Sequence, residues 1–106
     1  MNNGTLEVEG LTISYRITGP ENAPWAVIMQ GWGTNCRLYD GMAGLINDRF
    51  RVLQFDLPGF GMSDEPSESW DVGKYADFTV TVLDRLHIDR AMLIGHSYGG
   101  RVIIRL

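Results

Sequence analysis

The stretch Arg90-Ala91-Met92-Leu93-Ile94-Gly95-His96-Ser97-Tyr98-Gly99-Gly100-Arg101-Val102-Ile103-Ile104 decides the fold. Ala91 to Ile94 is a short uninterrupted apolar run, the pattern of a buried strand. It stops at Gly95, and a second apolar run opens at Val102 in the manner of a helix start. Between them lies Gly95-His96-Ser97-Tyr98-Gly99, of the form G-x-S-x-G. A chain that passes from strand to helix in so few residues turns sharply. Such a turn strains the backbone at its centre and exposes the serine hydroxyl at the carboxyl end of the strand. Neighbouring backbone crowds the positions two before and two after, where Gly95 and Gly99 stand. The bland alternative is a glycine-rich turn whose serine only caps the helix.

Outward from that stretch, the chain alternates strand and helix. Thr5 to Gly10 and Leu11 to Thr18 carry apolar residues at every second position (Leu6, Val8; Leu11, Ile13, Tyr15, Ile17). Period two predicts half-buried strands, and Gly10 marks a tight turn that joins them as an antiparallel hairpin. Gly19 to Pro24 is a loop by its breakers. Trp25 to Met29 is continuously apolar, so it is expected to be covered on both faces. It runs into the glycine turn Gln30-Gly31-Trp32-Gly33-Thr34-Asn35, whose Asn35 is a candidate cap. Leu38, Met42, Leu45 and Ile46 recur at helical spacing and predict a helix over 37–47, with those residues facing the core. Phe50 to Phe55 is the next strand, followed by the loop Asp56-Leu57-Pro58-Gly59-Phe60-Gly61-Met62-Ser63-Asp64-Glu65-Pro66. Asp71 is a candidate N-cap. Tyr75, Phe78, Val82, Leu83 and Leu86 form the apolar stripe of a helix over 72–86.

The order hairpin, strand, helix, strand, helix, strand, helix predicts an α/β fold: a mostly parallel sheet with an N-terminal antiparallel hairpin and helices on both faces. Right-handed crossovers put the loops after Met29, Phe55 and Gly95 on one rim, where ligands of such sheets bind. No repeat, low-complexity tract or linker divides the 106 residues.

Composition narrows the function classes. The net charge of −4 argues against a nucleic-acid surface. Cys36 stands alone, so the chain holds neither an internal disulfide nor cysteine-based metal spacing. His87 and His96 do not stand at the spacing of a helical ligand pair. The polar start, Met1-Asn2-Asn3-Gly4-Thr5, lacks the basic and apolar regions of a signal peptide, and no run is long enough to span a membrane. A soluble cytoplasmic protein is expected.

Three landmarks in order, Gln30-Gly31-Trp32-Gly33, Asp56-Leu57-Pro58-Gly59-Phe60-Gly61-Met62-Ser63 and Gly95-His96-Ser97-Tyr98-Gly99-Gly100, give the chain its resemblance to the N-terminal half of an α/β-hydrolase, from about Leu6 to the end. The resemblance implies a catalytic nucleophile at Ser97. It implies an oxyanion hole of two backbone N–H groups, those of Trp32 and Tyr98, the latter aided by the helix dipole. Gln30 departs from the histidine common before that glycine; its amide still donates and accepts, so it is able to hold the loop. Asp56 and Gly59 to Gly61 look structural, and Ser63 and Asp64 look like turn residues. His96, adjacent to the nucleophile, is poorly placed to act as its base, and His87 reads as a helix C-terminal residue. No metal or organic cofactor is implied.

In this family the acid and the histidine follow the nucleophile in the chain. The sequence ends at Leu106, so the expectation is an incomplete single domain, 1–106, whose acid, base and lid segments are absent and which has little triad catalysis of its own. The intact parent would cleave an ester-like acyl bond, or a carbon–carbon bond in a diketone-like substrate, through an acyl-enzyme on a small-molecule substrate. Two other readings stand beside it. Gly31-x-Gly33 after a buried strand, with Asp56 ending the next, resembles a dinucleotide-binding turn with its ribose-binding acid. A non-catalytic product could also associate with itself through the open edge of the Ala91 strand.

Overall fold

The structure is a computed structural model that describes residues 2–29, 39–59, 63, 65–66 and 70–95. Its elements are β1 (Asn2–Val8), β2 (Leu11–Thr18), β3 (Trp25–Met29), α1 (Asp40–Ile46), β4 (Arg51–Phe55), α2 (Val72–Arg85) and β5 (Ala91–Gly95). The strands form one sheet in the order β1-β2-β4-β3-β5. β2 pairs antiparallel with β1 and β4, whereas β3 runs parallel to both β4 and β5. The mixed sheet with an N-terminal hairpin is the one expected from the alternating pattern.

The hairpin is closed by Glu9 and Gly10, with φ of 51° and 79°. Val8 pairs directly with Leu11, so the loop has two residues. Two successive positive φ angles make the mirror-image turn that matches strand twist. Gly10 suits it; Glu9 sits there at a steric cost.

The chain steps from β3 to β4 in one direction along the sheet, then from β4 past β3 to β5 in the other. Crossovers of one hand with opposite steps lie on opposite faces. Side chains of the central strands alternate accordingly. Val27, Met29, Leu53 and Phe55 pack with Tyr75, Phe78 and Val82 of α2. Ala26, Ile28 and Val52 pack with Tyr39 and Ala43 on the α1 side.

α2 follows from its sequence. Asp71 accepts the Lys74 backbone N–H at 2.8 Å, the N-cap expected of it. Thr79, fully buried, donates its hydroxyl to the Tyr75 carbonyl, which removes the cost of burying it. The helix stops at a left-handed residue, His87, with φ of 58°. His87 N–H donates to the Asp84 carbonyl and Ile88 N–H to the Leu83 carbonyl, and Ile88 is buried beneath the end. That pair of bonds with an apolar anchor is a Schellman motif, with histidine where glycine is usual.

α1 differs from its expectation in two ways. It runs from Asp40 to Ile46, and its N-cap residue is Tyr39, which makes no side-chain capping bond. Asn35, the expected cap, lies outside the described residues. The buried face agrees with the expected one only at Ile46, which packs against the core beside buried Tyr39 and Ala43; Met42 is 39% and Leu45 83% exposed, and Leu38 lies outside the described residues. Small Ala43 lets the helix approach the sheet closely. Once Tyr39, Ala43 and Ile46 face inward, helical geometry turns position 45 outward and leaves position 42 at the flank. β1 starts at Asn2 rather than Thr5, β4 at Arg51 rather than Phe50, and Gly95 belongs to β5.

Candidate active site

β3, β4 and β5 are parallel, so Met29, Phe55 and Gly95 end on one rim, as the crossover rule predicts. Met29 and Gly95 are register partners, and Ile28 pairs with both Ile94 and Gln54. The carboxyl ends of parallel strands are where open α/β sheets bind ligands.

The expected nucleophile Ser97 and the expected oxyanion donors Trp32 and Tyr98 lie outside the described residues, as do Gln30, Cys36 and His96. The frame they depart from is described. At the end of β4, Asp56 is 2% exposed and its backbone N–H donates to the Ser14 carbonyl at 2.9 Å. Ser63 donates its hydroxyl to the Asp56 carbonyl and accepts the Ser14 N–H at 2.9 Å, which ties the rim loop to β2. Leu57 is fully buried, and the Tyr75 hydroxyl donates to the Pro58 carbonyl at 2.9 Å. Asp56 and Ser63 are therefore structural, as expected. A buried Asp56 is also withdrawn from any ribose hydroxyl, against the dinucleotide reading.

His87 sits at the opposite end of the molecule, ahead of the amino end of β5, in keeping with its reading as a helix C-terminal residue. A cavity of about 580 Å³ opens at that same end, lined in part by Pro24, Trp25, Phe50, Arg90 and Met92. It lies away from the rim and shares no residue with it. Among the described residues no three His, Cys, Asp or Glu side chains are grouped to hold a metal. Among the same residues no helix is long and apolar enough to cross a membrane.

A polar cluster beside the rim was not read from the sequence. Asp40, the first residue of α1, accepts Arg16 Nη1 of β2 on Oδ2 and Gln54 Nε2 of β4 on Oδ1, the latter at 3.0 Å. Gln54 is 1% exposed on a central strand. Its one available signal was a polar residue inside the otherwise apolar run Val52-Leu53-Gln54-Phe55.

Residues 24–106 match the family model of the alpha/beta hydrolase fold. The chain is similar to a 3-oxoadipate enol-lactonase of Acinetobacter baylyi, with 33% identity over 92 residues, 87% of this chain and 34% of the relative. It is similar to a bifunctional esterase/perhydrolase of Acinetobacter calcoaceticus, with 32% identity over 87% of this chain and 34% of the relative. Among solved structures, a bacterial membrane phospholipase A superposes with a TM-score of 0.91 and 30% identity, over 95% of this chain and 33% of that one. The chain thus spans about a third of the length of these relatives. By the family match and by the sheet that carries it, the chain belongs to the alpha/beta hydrolase fold family.

Proposed function

We propose that this chain supplies the nucleophile and the oxyanion hole of a serine hydrolase that cleaves ester or lactone bonds. Ser97 is the nucleophile, and the backbone N–H groups of Trp32 and Tyr98 receive the oxyanion. The observation that carries the reading is the pairing of Met29 with Gly95. The segments that hold Trp32 and Ser97 leave the sheet from adjacent, registered positions, as an attacking hydroxyl and its oxyanion donor require. The relatives named as an esterase and an enol-lactonase support an acyl substrate.

The chemistry proceeds in two balanced halves. Ser97 Oγ bonds to the carbonyl carbon as its proton passes to a histidine base. The carbonyl π electrons move onto oxygen, which the two amides stabilise; one such donor contributes about 2.7–4 kcal/mol. The tetrahedral intermediate collapses, the C–O bond to the leaving alcohol or enol breaks, and the base returns the proton to it. Water repeats the sequence on the acyl-enzyme and frees the acid. The mechanism needs a histidine base and an acid that orients it, and in this family both follow the nucleophile in the chain. Among the described residues β5 is an edge strand, so self-association through it is a second expectation, tested by the elution volume across a dilution series.

The test is covalent labelling of the full gene product with a fluorophosphonate, with Ser97→Ala alongside. Label on the native protein and none on the variant supports the assignment. Equal label on both removes it.

A further inference from the structure

We propose that Arg16, Asp40 and Gln54 form a register lock: a polar contact that selects one pairing of the β1–β2 hairpin with β4 out of several that the apolar pattern allows. It holds whether or not Ser97 is the nucleophile. Arg16 of β2 and Gln54 of β4 are register partners. Both donate to the carboxylate at the start of α1, Arg16 Nη1 to Asp40 Oδ2 and Gln54 Nε2 to Asp40 Oδ1. Gln54 is 1% exposed and the Arg16 side chain 12%. Two strands and a helix therefore meet at one point.

The need for such a contact follows from the pattern of β2. Its core face carries Leu11, Ile13, Tyr15 and Ile17, at every second position. A slip of one residue would turn that face to the other side of the sheet, and burial forbids it. A slip of two keeps it inward: Ile13 or Ile17 then lies opposite Phe55, where Tyr15 lies in the native pairing. The hairpin moves as a unit, because its two-residue turn fixes β1 on β2. Backbone bonds do not choose between these pairings. Asp56 N–H donates to the Ser14 carbonyl and Ser63 Oγ accepts the Ser14 N–H, but every second residue of β2 offers the same groups. The side facing α1 does choose. A slip of two sets Ser14 or Thr18 opposite Gln54 and carries Arg16 about 7 Å along the strand, away from Asp40. In one direction Arg16 then stands opposite Val52, beside the apolar cluster of Ala26, Ile28 and Val52, where an unpaired guanidinium is costly. Gln54 on a central strand is explained in the same way: a valine would pack there, but it would leave all even-numbered slips alike.

The experiment reads the pairing itself, by cross-strand backbone NOEs in NMR spectra of the isotope-labelled full gene product. Three proteins are compared: the native one, the apolar variant Arg16→Met with Asp40→Ala and Gln54→Val, and the charge exchange Arg16→Asp with Asp40→Arg. The native protein is expected to show the one set that joins residues 15–18 to 52–55. The apolar variant is expected to show a second set, shifted by two residues, at about a tenth of the first. The charge exchange, which keeps complementary partners, is expected to return to one set. Should the apolar variant not fold, Arg16→Met alone is read, and the shifted set is expected there too. A single native set in whichever of these two is read would overturn the lock; the close approach of Gly19 to the Phe50 carbonyl would then suffice to set the register. A shifted set that persists in the charge exchange would overturn it as well.

Discussion

The Tyr75 hydroxyl, inside the core on α2, donates to the carbonyl of Pro58 in the rim loop at 2.9 Å. One helix side chain thereby ties the start of the rim loop to the core. Tyr75 also packs edge-on against Trp70, with ring centroids 5.3 Å apart. Tyr75→Phe keeps that packing and strands the Pro58 carbonyl. We expect a loss of about 1–3 kcal/mol, read from the urea midpoint at unchanged slope. A variant as stable as the native protein would mean that the bond contributes nothing net.

Gly19 has φ of 98°, and a Cβ there would lie 2.1 Å from the Phe50 carbonyl oxygen and 3.0 Å from that of Asn47. Both obstacles are backbone, so no side chain can move aside. Gly19→Ala is expected to cost about 3 kcal/mol or more, combining left-handed strain with the clash. Thermal unfolding followed by circular dichroism checks it, and a shift of a degree or two would contradict the close approach.

His87 occupies the left-handed position of the Schellman motif with φ of 58°. His87→Gly relieves the Cβ penalty and adds some unfolded-state entropy. The balance is expected to stabilise by about 0.5–1 kcal/mol. The same denaturant midpoint should rise; a fall would show that the imidazole makes a compensating contact.

On α1 the corrected face makes opposite predictions for two neighbours. Leu45, 83% exposed, should accept Lys with a change within about 0.5 kcal/mol. Ala43, 3% exposed against the sheet, should resist Leu by about 1–3 kcal/mol through overpacking. If Leu45 faced the core, Leu45→Lys would be the damaging change.

Asp71→Ala removes the acceptor for the Lys74 N–H and is expected to cost about 1 kcal/mol, with Asp71→Ser close to neutral. Hydrogen exchange at Lys74 should accelerate in the alanine variant alone.

What the sequence determined is the local pattern. Period two made β1 and β2 a hairpin, continuous apolar runs made β3 and β5 strands, and the 3.6 period placed α2 within a residue of its end; β3 is buried as expected, whereas β5, an edge strand among the described residues, has no fully buried residue and leaves Met92 43% exposed. These depend on neighbours a few positions apart, which a linear reading contains. The parallel rim followed from handedness, and the family followed from three short motifs. Tertiary structure decided the rest. It put β4 between β2 and β3, bound Ser63 to Ser14 across 49 positions, and joined Arg16 and Gln54 on one carboxylate. It also turned Leu45 outward, because a seven-residue helix with two glycines carries too few apolar residues to fix its own face. Such contacts arise only when strands distant in the chain pair in register. A side chain's partner is then set by that register and by the space left beside it.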